Sequence, residues 1–184
     1  SEHGDQLAAV VMEPCRGKPP QKGYLKHVKE KAHEHGIILI FDEITIGWRL
    51  TYGGAHKLYG TNPDIAVFSK SLGNGHPIGA IIGTRKAMDG ANHSFISSTY
   101  WTDRVGPAAA LATLKEMAKH DVSSYVQRIG KKVKNILSEL AVKHDLPILE
   151  GKVFTCAVSL LFKHEKSKLM LTLFTQLMLD EGFL

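Results

Sequence analysis

Three continuous apolar runs constrain the fold of this chain more than any other feature of its sequence. They cover residues 7–12, 37–41 and 65–68. Continuous rather than alternating hydrophobicity predicts strands that are buried on both faces, as in a parallel sheet. Between the first two runs, apolar residues from Tyr24 onward follow helical spacing, and Gly36 closes that helix. The order strand, helix, strand predicts a right-handed βαβ unit.

The rest of the chain continues with a short strand, two helices, a second strand and a final helix. These elements are predicted at residues 80–83, 105–117, 122–140, 153–162 and 169–179. We therefore expect an α/β fold, with a three-layer, mainly parallel sheet in residues 1–147. The start of a small α+β domain is expected in residues 148–184.

Composition excludes several classes of protein. Of the 184 residues, 43% are hydrophobic and 22% are charged, which is typical of a soluble globular chain, and no apolar run is long enough to cross a bilayer. The net charge of +5 is spread along the chain without a basic patch interleaved with aromatic residues, so no nucleic-acid partner is expected. Because the sequence contains only Cys15 and Cys156, we predict no disulfide framework and a cytoplasmic location.

Polar side chains follow three of the predicted strands at the point where each ends. They are Glu13, Asp42 and Lys70. Because ligands bind at the carboxyl ends of the strands in open α/β sheets, we expect Asp42 and Lys70 to face one crevice. Glu13 is expected either to contact a ligand there or to be a solvated loop carboxylate.

Lys70 follows the third strand directly and is followed in turn by Gly73 and Gly75, which allow a sharp turn of the backbone. We expect its side chain to point into a partly buried crevice. Desolvation there favours the neutral amine, the form that attacks a carbonyl carbon and makes a Schiff base. The alternative is an ordinary surface lysine in a glycine-rich turn.

Two other groups of residues could bind small ligands. Residues 97–103 are rich in hydroxyl groups and precede a helix, so they either bind a phosphate or form an ordinary polar loop. His27, His33 and His35 lie on or near the polar side of the first helix. Because residues two positions apart do not share a helix face, no metal site is predicted.

Taken together, these segments resemble the core of class III aminotransferases, which are fold-type I enzymes that depend on pyridoxal phosphate. The resemblance is carried by Asp-Glu-Ile-Thr-Ile-Gly-Trp-Arg at 42–49, Tyr-Gly-Gly-Ala at 52–55, Asn-Pro-Asp-Ile at 62–65, Ser-Lys at 69–70 and Gly-Asn-Gly-His-Pro-Ile-Gly-Ala at 73–80. The branch resembled most is that of glutamate-1-semialdehyde 2,1-aminomutase. The resemblance implies the cofactor-binding large domain, pyridoxal 5'-phosphate as cofactor, a small-molecule amino donor and oxo acceptor, and a homodimer with shared active sites.

The resemblance also assigns roles to four residues. Lys70 matches the lysine that forms the Schiff base and later moves a proton between substrate and cofactor. Asp42 matches the aspartate that keeps the pyridine nitrogen protonated, so that the ring can act as an electron sink. Ile44 matches the apolar residue packed on the ring, and period-two alternation of an extended chain places it on the same side as Asp42. Thr99 matches the threonine that reaches the cofactor phosphate of the neighbouring subunit.

Some features depart from the family pattern. Many members continue with Gly-Asn-Pro after a threonine like Thr99, whereas this chain has Trp101-Thr102-Asp103, which weakens the expected phosphate contact. Thr45 stands where many ω-amino-acid aminotransferases carry glutamine, which weakens a contact to the ring hydroxyl. The family's N-terminal half and the end of its C-terminal domain are not represented, so we expect the chain to be a fragment.

Four functions remain open on the sequence. Amino-group transfer and aminomutase chemistry, in which the amino group returns to a neighbouring carbon of the same substrate, both need Asp42 and Lys70. A dinucleotide-binding domain is an alternative from another class, but Ile78 stands at the last glycine of a Gly-x-Gly-x-x-Gly pattern that starts at Gly73. A catalytically inactive fragment is the fourth. The amino donor and acceptor cannot be read from these residues.

Overall fold

Four short strands form the sheet that positions the candidate site. In order across the sheet they are β1 (Ala9–Met12), β2 (Ile38–Asp42), β3 (Ile65–Phe68) and β4 (Ala80–Gly83). The first three strands are parallel, whereas β4 runs antiparallel to β3. These elements come from a computed structural model that describes residues 3–150 and 154–183. The predicted α/β fold with a mainly parallel sheet is confirmed.

One cluster of buried side chains lies on β2, which is one of the two inner strands of the sheet. Leu39 and Phe41 are fully buried there, and helix α1 (Tyr24–Glu34) packs Leu25 against them. Burying a leucine or phenylalanine side chain stabilises the fold by about 1.5–3 kcal/mol. The other face of β2 is half-buried rather than exposed, so the continuous apolar run reflects cover on both faces of the strand.

A second cluster of buried side chains lies at the end of β3. It contains Ala66, Phe68 and Leu72, and helix α3 (Val105–Lys119) adds Ala110. The ring of Trp48 packs against Phe68 with 4.6 Å between the ring centroids. Leu72 belongs to the turn after β3, so this cluster anchors the turn that carries Lys70, the predicted cofactor lysine.

The direction of β4 was not predicted from the sequence. Residues 69–79 connect β3 to β4, and this connection is too short for the crossover that a parallel neighbour requires. The hydroxyl of Ser69 donates to the carbonyl oxygen of Ile78 at 2.7 Å and closes the connection. The fourth strand must therefore return antiparallel.

The remaining elements are three helices, a two-stranded antiparallel sheet and several 3-10 turns. The helices and strands are α2 (Arg85–Met88), α4 (Val122–Lys143), β5 (Ile148–Glu150), β6 (Leu160–Phe162) and α5 (Ser167–Asp180). The 3-10 turns span Gly4–Gln6, Ala55–Tyr59, Lys70–Leu72, Asp89–His93 and Thr155–Ala157. None of the helices in the described ranges is long and apolar enough to cross a membrane.

One predicted strand, residues 153–162, is wrong over most of its length. Thr155–Ala157 form a 3-10 turn, and the strand begins at Leu160; Val153 lies outside the described residues. The sequence pattern predicted a strand here correctly, but β6 spans only Leu160–Phe162, which pairs with β5 at three positions.

Contacts within the chain divide it into two compact units, residues 1–125 and 126–184. In the described part of the chain, every apolar side chain classed as buried lies in the first unit. In the second unit, Phe162 of β6 packs edge-on against Phe174 of α5. The predicted boundary between residues 147 and 148 stays a prediction, since this division falls inside α4.

Candidate active site

The exits of β2 and β3 bring two of the predicted site residues, Asp42 and Lys70, to one edge of the sheet, together with Thr45. Asp42 ends β2 and is in register with Val67 of β3. The N–H of Glu43 donates to the carbonyl oxygen of Val67 at 2.9 Å, which ties the turn after β2 to the neighbouring strand. From the turn after β3, Nζ of Lys70 donates to Oγ1 of Thr45 at 3.0 Å. A carboxylate, a hydroxyl and a primary amine therefore lie on adjacent parallel strand exits.

The expectation that Lys70 points into a partly buried crevice is wrong for this chain, because Lys70 is exposed. The residue that the turn does bury is Leu72, which enters the core beside Phe68 and is only 4% exposed. The backbone of Lys70 has φ +43°, a left-handed conformation that residues other than glycine seldom adopt. The sharp turn is therefore present at the lysine itself, before the two glycines that predicted it.

The reason given for placing Ile44 beside Asp42 is also wrong. The strand ends at Asp42, and Ile44 lies in a turn rather than in an extended segment. Oδ1 of Asp42 accepts the N–H of Ile44 at 2.9 Å, a local side-chain turn that aspartate favours. Ile44 is half-buried, and its proposed contact with a cofactor ring stays a prediction.

A buried carboxylate that the sequence did not single out holds this turn in place. Glu43 is 1% exposed, and its carboxylate accepts the N–H groups of Ala55 and His56, each at 2.9 Å. Nδ1 of the His56 ring lies 2.7 Å from the same carboxylate. A buried charge is tolerated only when it is paired and hydrogen-bonded, and these three groups meet that condition.

The signal that could have found Glu43 was its position. Glu43 is the second of two consecutive acidic residues after a buried apolar run, and neighbouring residues at a strand end point in opposite directions, so one of the two carboxylates is directed towards the core. Gly47 gives a second sign of close packing, since a Cβ there would lie 2.7 Å from the carbonyl oxygen of Glu43 and 3.0 Å from the Phe68 ring. The turn after β2 is therefore pressed against the core.

A further contact joins the two turns of the site. Nε of Arg49 donates to Oγ of Ser71 at 3.2 Å, one residue beyond Lys70. Together with the bond between Lys70 and Thr45, it links the turn after β2 to the turn after β3 at two points.

Thr99 lies apart from these contacts, in an exposed turn. In the described chain no hydrogen bond connects it with Asp42 or Lys70. Close by, Oδ1 of Asp103 accepts the N–H of Val105 at 2.8 Å, at the first turn of α3. A carboxylate therefore occupies a position at which the amides of a helix start would otherwise attract a phosphate. This is a structural consequence of the departure from Gly-Asn-Pro.

An open cleft of about 390 Å³ lies between the segment that leads into β4 and the start of α3. Its lining includes Pro77, Ile78, Ser98, Tyr100 and Asp103. Glu13, the third polar residue predicted at a strand end, lies in a loop and forms an ion pair with Arg16 at 3.3 Å. Among the residues described, no group of three or more His, Cys, Asp or Glu side chains could hold a metal ion.

A different carboxylate lies at the opposite, amino end of β2. Oδ2 of Asp64 accepts the N–H of Leu39 at 2.8 Å and lies 2.9 Å from Nε2 of His33. Burial raises the pKa of Asp64, but the hydrogen bonds from Leu39 and His33 outweigh burial and hold the pKa below its usual value. This carboxylate therefore remains charged to lower pH than an ordinary aspartate.

Comparison with known proteins begins with the sequence. Residues 1–182 match the family model described as aminotransferase class-III. The chain is 36% identical over 149 residues to 2'-deamino-2'-hydroxyneamine transaminase of Streptomyces kanamyceticus, which covers 79% of this chain and 37% of that protein. It is 37% identical over 168 residues to glutamate-1-semialdehyde 2,1-aminomutase of Methanocaldococcus jannaschii, and this match covers 85% of this chain and 38% of that protein. The chain thus spans less than two fifths of these curated relatives.

Comparison with solved structures shows that the fold is that of known transaminases. The PLP internal aldimine form of the FumI protein of Sphingopyxis sp. MTA144 superposes with a TM-score of 0.82 over 89% of this chain and 41% of that one. At 24% identity this likeness concerns the fold alone. An omega-transaminase from Sphaerobacter thermophilus, 27% identical, superposes with a TM-score of 0.69 over 83% of this chain and 37% of that one.

Proposed function

The chain belongs to the class III aminotransferases, and on that premise we propose that Lys70 forms the Schiff base of a pyridoxal-phosphate-dependent aminotransferase. The reaction would transfer an amino group between an amino acid or amine and an oxo acid or aldehyde. The observation that supports this most is that Asp42 and Lys70, a carboxylate and an amine, lie at the exits of adjacent parallel strands.

The residues at this edge fit the cofactor in their chemistry. A primary amine suits the aldehyde of pyridoxal phosphate, a carboxylate suits its ring nitrogen, and the half-buried Ile44 suits a ring face. Family members use this cofactor, and one solved neighbour is a transaminase with PLP bound, 25% identical with a TM-score of 0.71 over 83% of this chain and 38% of that one. When bound, pyridoxal phosphate supplies an electron sink for the carbanion of the substrate.

Four residues of this chain have distinct roles in the proposed mechanism. Lys70 would hold the cofactor through its amine and, in its free form, would take and return the proton at the reacting carbon of the substrate. Asp42 would supply a negative charge to the ring nitrogen, which favours the protonated nitrogen. Ile44 would shield one ring face from water. Thr99 is proposed to reach the cofactor phosphate of the neighbouring subunit.

Assembly and location are part of the same proposal. A contact from Thr99 to a neighbouring subunit requires a homodimer with shared active sites. The proposed setting is reducing and cytoplasmic, because the sequence contains only two cysteines, Cys15 and Cys156. The partners are then a small-molecule amino donor and an oxo acceptor, with no nucleic acid.

The test uses the Schiff base itself. On addition of pyridoxal phosphate, the wild-type chain should gain a visible absorption band, and borohydride reduction should fix the cofactor mass on Lys70. The variant Lys70→Ala should lose both signals. Lys57→Ala is the matched control, since Lys57 is also exposed and its Nζ donates to a carbonyl oxygen, that of Tyr52, at 3.3 Å. A band that persists in Lys70→Ala, or no band in the wild type, contradicts the proposal.

Aminomutase chemistry is the second candidate, supported by the 37% identity to the Methanocaldococcus jannaschii aminomutase. It needs the same Asp42 and Lys70, so the two reactions differ in substrate and not in these residues. Conversion of glutamate-1-semialdehyde without an external amino acceptor would favour the aminomutase. Dependence on an added oxo acid would favour the aminotransferase. The dinucleotide-binding alternative is not supported, because the family match covers the glycine turn on which it rested.

A further inference from the structure

We infer that Thr45 is a positioning residue that holds the amine of Lys70 at the edge of the sheet; the inference rests on the proposed function, in which that amine binds the cofactor. The donor is Nζ of Lys70 and the acceptor is Oγ1 of Thr45, 3.0 Å away. Lys70 is exposed, and a long side chain without a partner there would sample many rotamers in water. The hydroxyl selects among them those that keep the amine beside the exit of β2.

Thr45 is well suited to this role because its own position is fixed. Its turn is held by the bond from the Ile44 N–H to Asp42 and by the N–H of Gly47, which donates to the carbonyl oxygen of Glu43 at 2.8 Å. The buried carboxylate of Glu43 anchors the same segment. Threonine is β-branched and therefore stiff about its first side-chain bond. The hydroxyl thus presents a preset partner to a flexible lysine.

The chemistry of a hydroxyl also fits both states of the amine. A hydroxyl can accept a hydrogen bond from the ammonium form and can donate one to the neutral form. Lys70 must be free and correctly placed at two moments, before it captures the cofactor and after it is released to move a proton. One hydroxyl can serve at both moments without a change in the backbone.

A purely structural role for this bond is separable from positioning. The two turns are also joined by Arg49 and Ser71, at 3.2 Å, so the turns remain linked when the hydroxyl of Thr45 is removed. Thr45→Val removes the hydroxyl and keeps the shape of the side chain, whereas Thr45→Ser keeps the hydroxyl. The comparison of these two variants with the wild type isolates the hydrogen bond.

The experiment measures two reactions of Lys70 in the full chain, one that needs positioning and one that does not. The first is the rate of Schiff-base formation with pyridoxal phosphate, followed by absorbance and mapped by borohydride reduction. The second is reductive methylation of the cofactor-free chain by formaldehyde and a borohydride, read by mass spectrometry. Lys57 is the internal reference for the second reaction, because its hydrogen bond to Tyr52 does not involve Thr45.

The two rates are expected to change in opposite directions. Thr45→Val should slow cofactor capture about tenfold, the size of one hydrogen bond, and should raise methylation of Lys70 relative to Lys57 about twofold or more. Thr45→Ser should stay within about threefold of the wild type in both reactions. A general loss of structure would instead raise methylation of both lysines.

The outcomes separate this inference from the proposed function. If the wild type does not capture the cofactor on Lys70 but Thr45→Val still raises methylation there, the proposed function fails and the role of Thr45 in holding the amine stands. If Thr45→Val matches the wild type in both reactions, or Thr45→Ser behaves like Thr45→Val, the inference is overturned.

Discussion

At both ends of β2 a carboxylate accepts backbone N–H groups and lies beside a histidine ring, yet the two ends differ in exposure. At the carboxyl end, the side chain of Glu43 is fully buried, and that of His56 is 13% exposed. At the amino end, the side chains of Asp64 and His33 are 14% and 45% exposed. The same set of groups is therefore enclosed at one end and partly hydrated at the other.

Because of this difference, we expect the fold to depend more on Glu43 than on Asp64. Water can replace part of a lost partner at the amino end, whereas the side chain of Glu43 has no solvent-exposed surface. The enclosed end is also the one that carries Asp42, Thr45 and Lys70. The buried hydrogen bonds of Glu43 thus lie at the end of β2 that carries the candidate site, where the positions of reactive groups matter most.

Glu43→Ala is expected to give the largest effect. It leaves the N–H groups of Ala55 and His56 buried without an acceptor, and we expect a loss of about 3 kcal/mol or more in the free energy of unfolding. Chemical denaturation measures this loss. Glu43→Gln is the control, since its amide oxygen can still accept one of these bonds, and it should lose less. A loss below about 1 kcal/mol in Glu43→Ala would show that the end is less enclosed than the structure indicates.

Asp64→Ala tests the hydrated end in the same assay. We expect a loss of about 1–2 kcal/mol, because the N–H of Leu39 loses its side-chain acceptor but the site remains open to water. Asp64→Asn keeps an oxygen that can accept this bond and should lose less than Asp64→Ala. If Asp64→Ala lowers the free energy of unfolding as much as Glu43→Ala, the two ends of β2 do not differ as their exposure predicts.

The smallest effect is a dependence on pH at the hydrated end. The pKa of Asp64 is lower in the folded chain than in the unfolded chain, so its charge stabilises the fold above the unfolded value of about 3.9. This contribution is lost as the pH falls through the lower folded value. Below about pH 5, where an ordinary histidine is already protonated, the stability advantage of the wild type over Asp64→Asn should therefore shrink as the pH falls. An advantage that grows with acidification in this range would contradict the direction of the shift.

Much of the fold was predictable because it follows from local pattern. The strands at 65–68 and 80–83 have the predicted bounds, since an apolar run between turn residues is a local signal. The direction of β4 is not local, because it depends on what the connecting segment can span. The turn at Ile44 was missed because the strand was assumed to continue, whereas the side chain of Asp42 ends it.

The candidate site was predictable in part for the same reason. Asp42 and Lys70 follow strands, so the rule for strand ends placed them on one edge of the sheet. The partners of Glu43 lie twelve and thirteen residues further along the chain, and no spacing rule identifies such pairs. The hydrogen bond between Thr45 and Lys70 likewise depends on how two turns meet. Sequence patterns therefore placed two candidate residues on one edge of the sheet, but they did not predict the contacts that hold the turns around them.

The left-handed backbone at Lys70, φ +43°, places this residue among those that protein engineering for stability would replace first. For a residue with a Cβ, such a conformation costs about 1 kcal/mol, and glycine removes that cost. In the function proposed above, Lys70→Gly would lose the cofactor lysine and would at the same time be more stable. Screens of variant libraries by thermal stability alone would then enrich a variant that lacks the proposed cofactor lysine. Libraries built on this scaffold should hold position 70 constant.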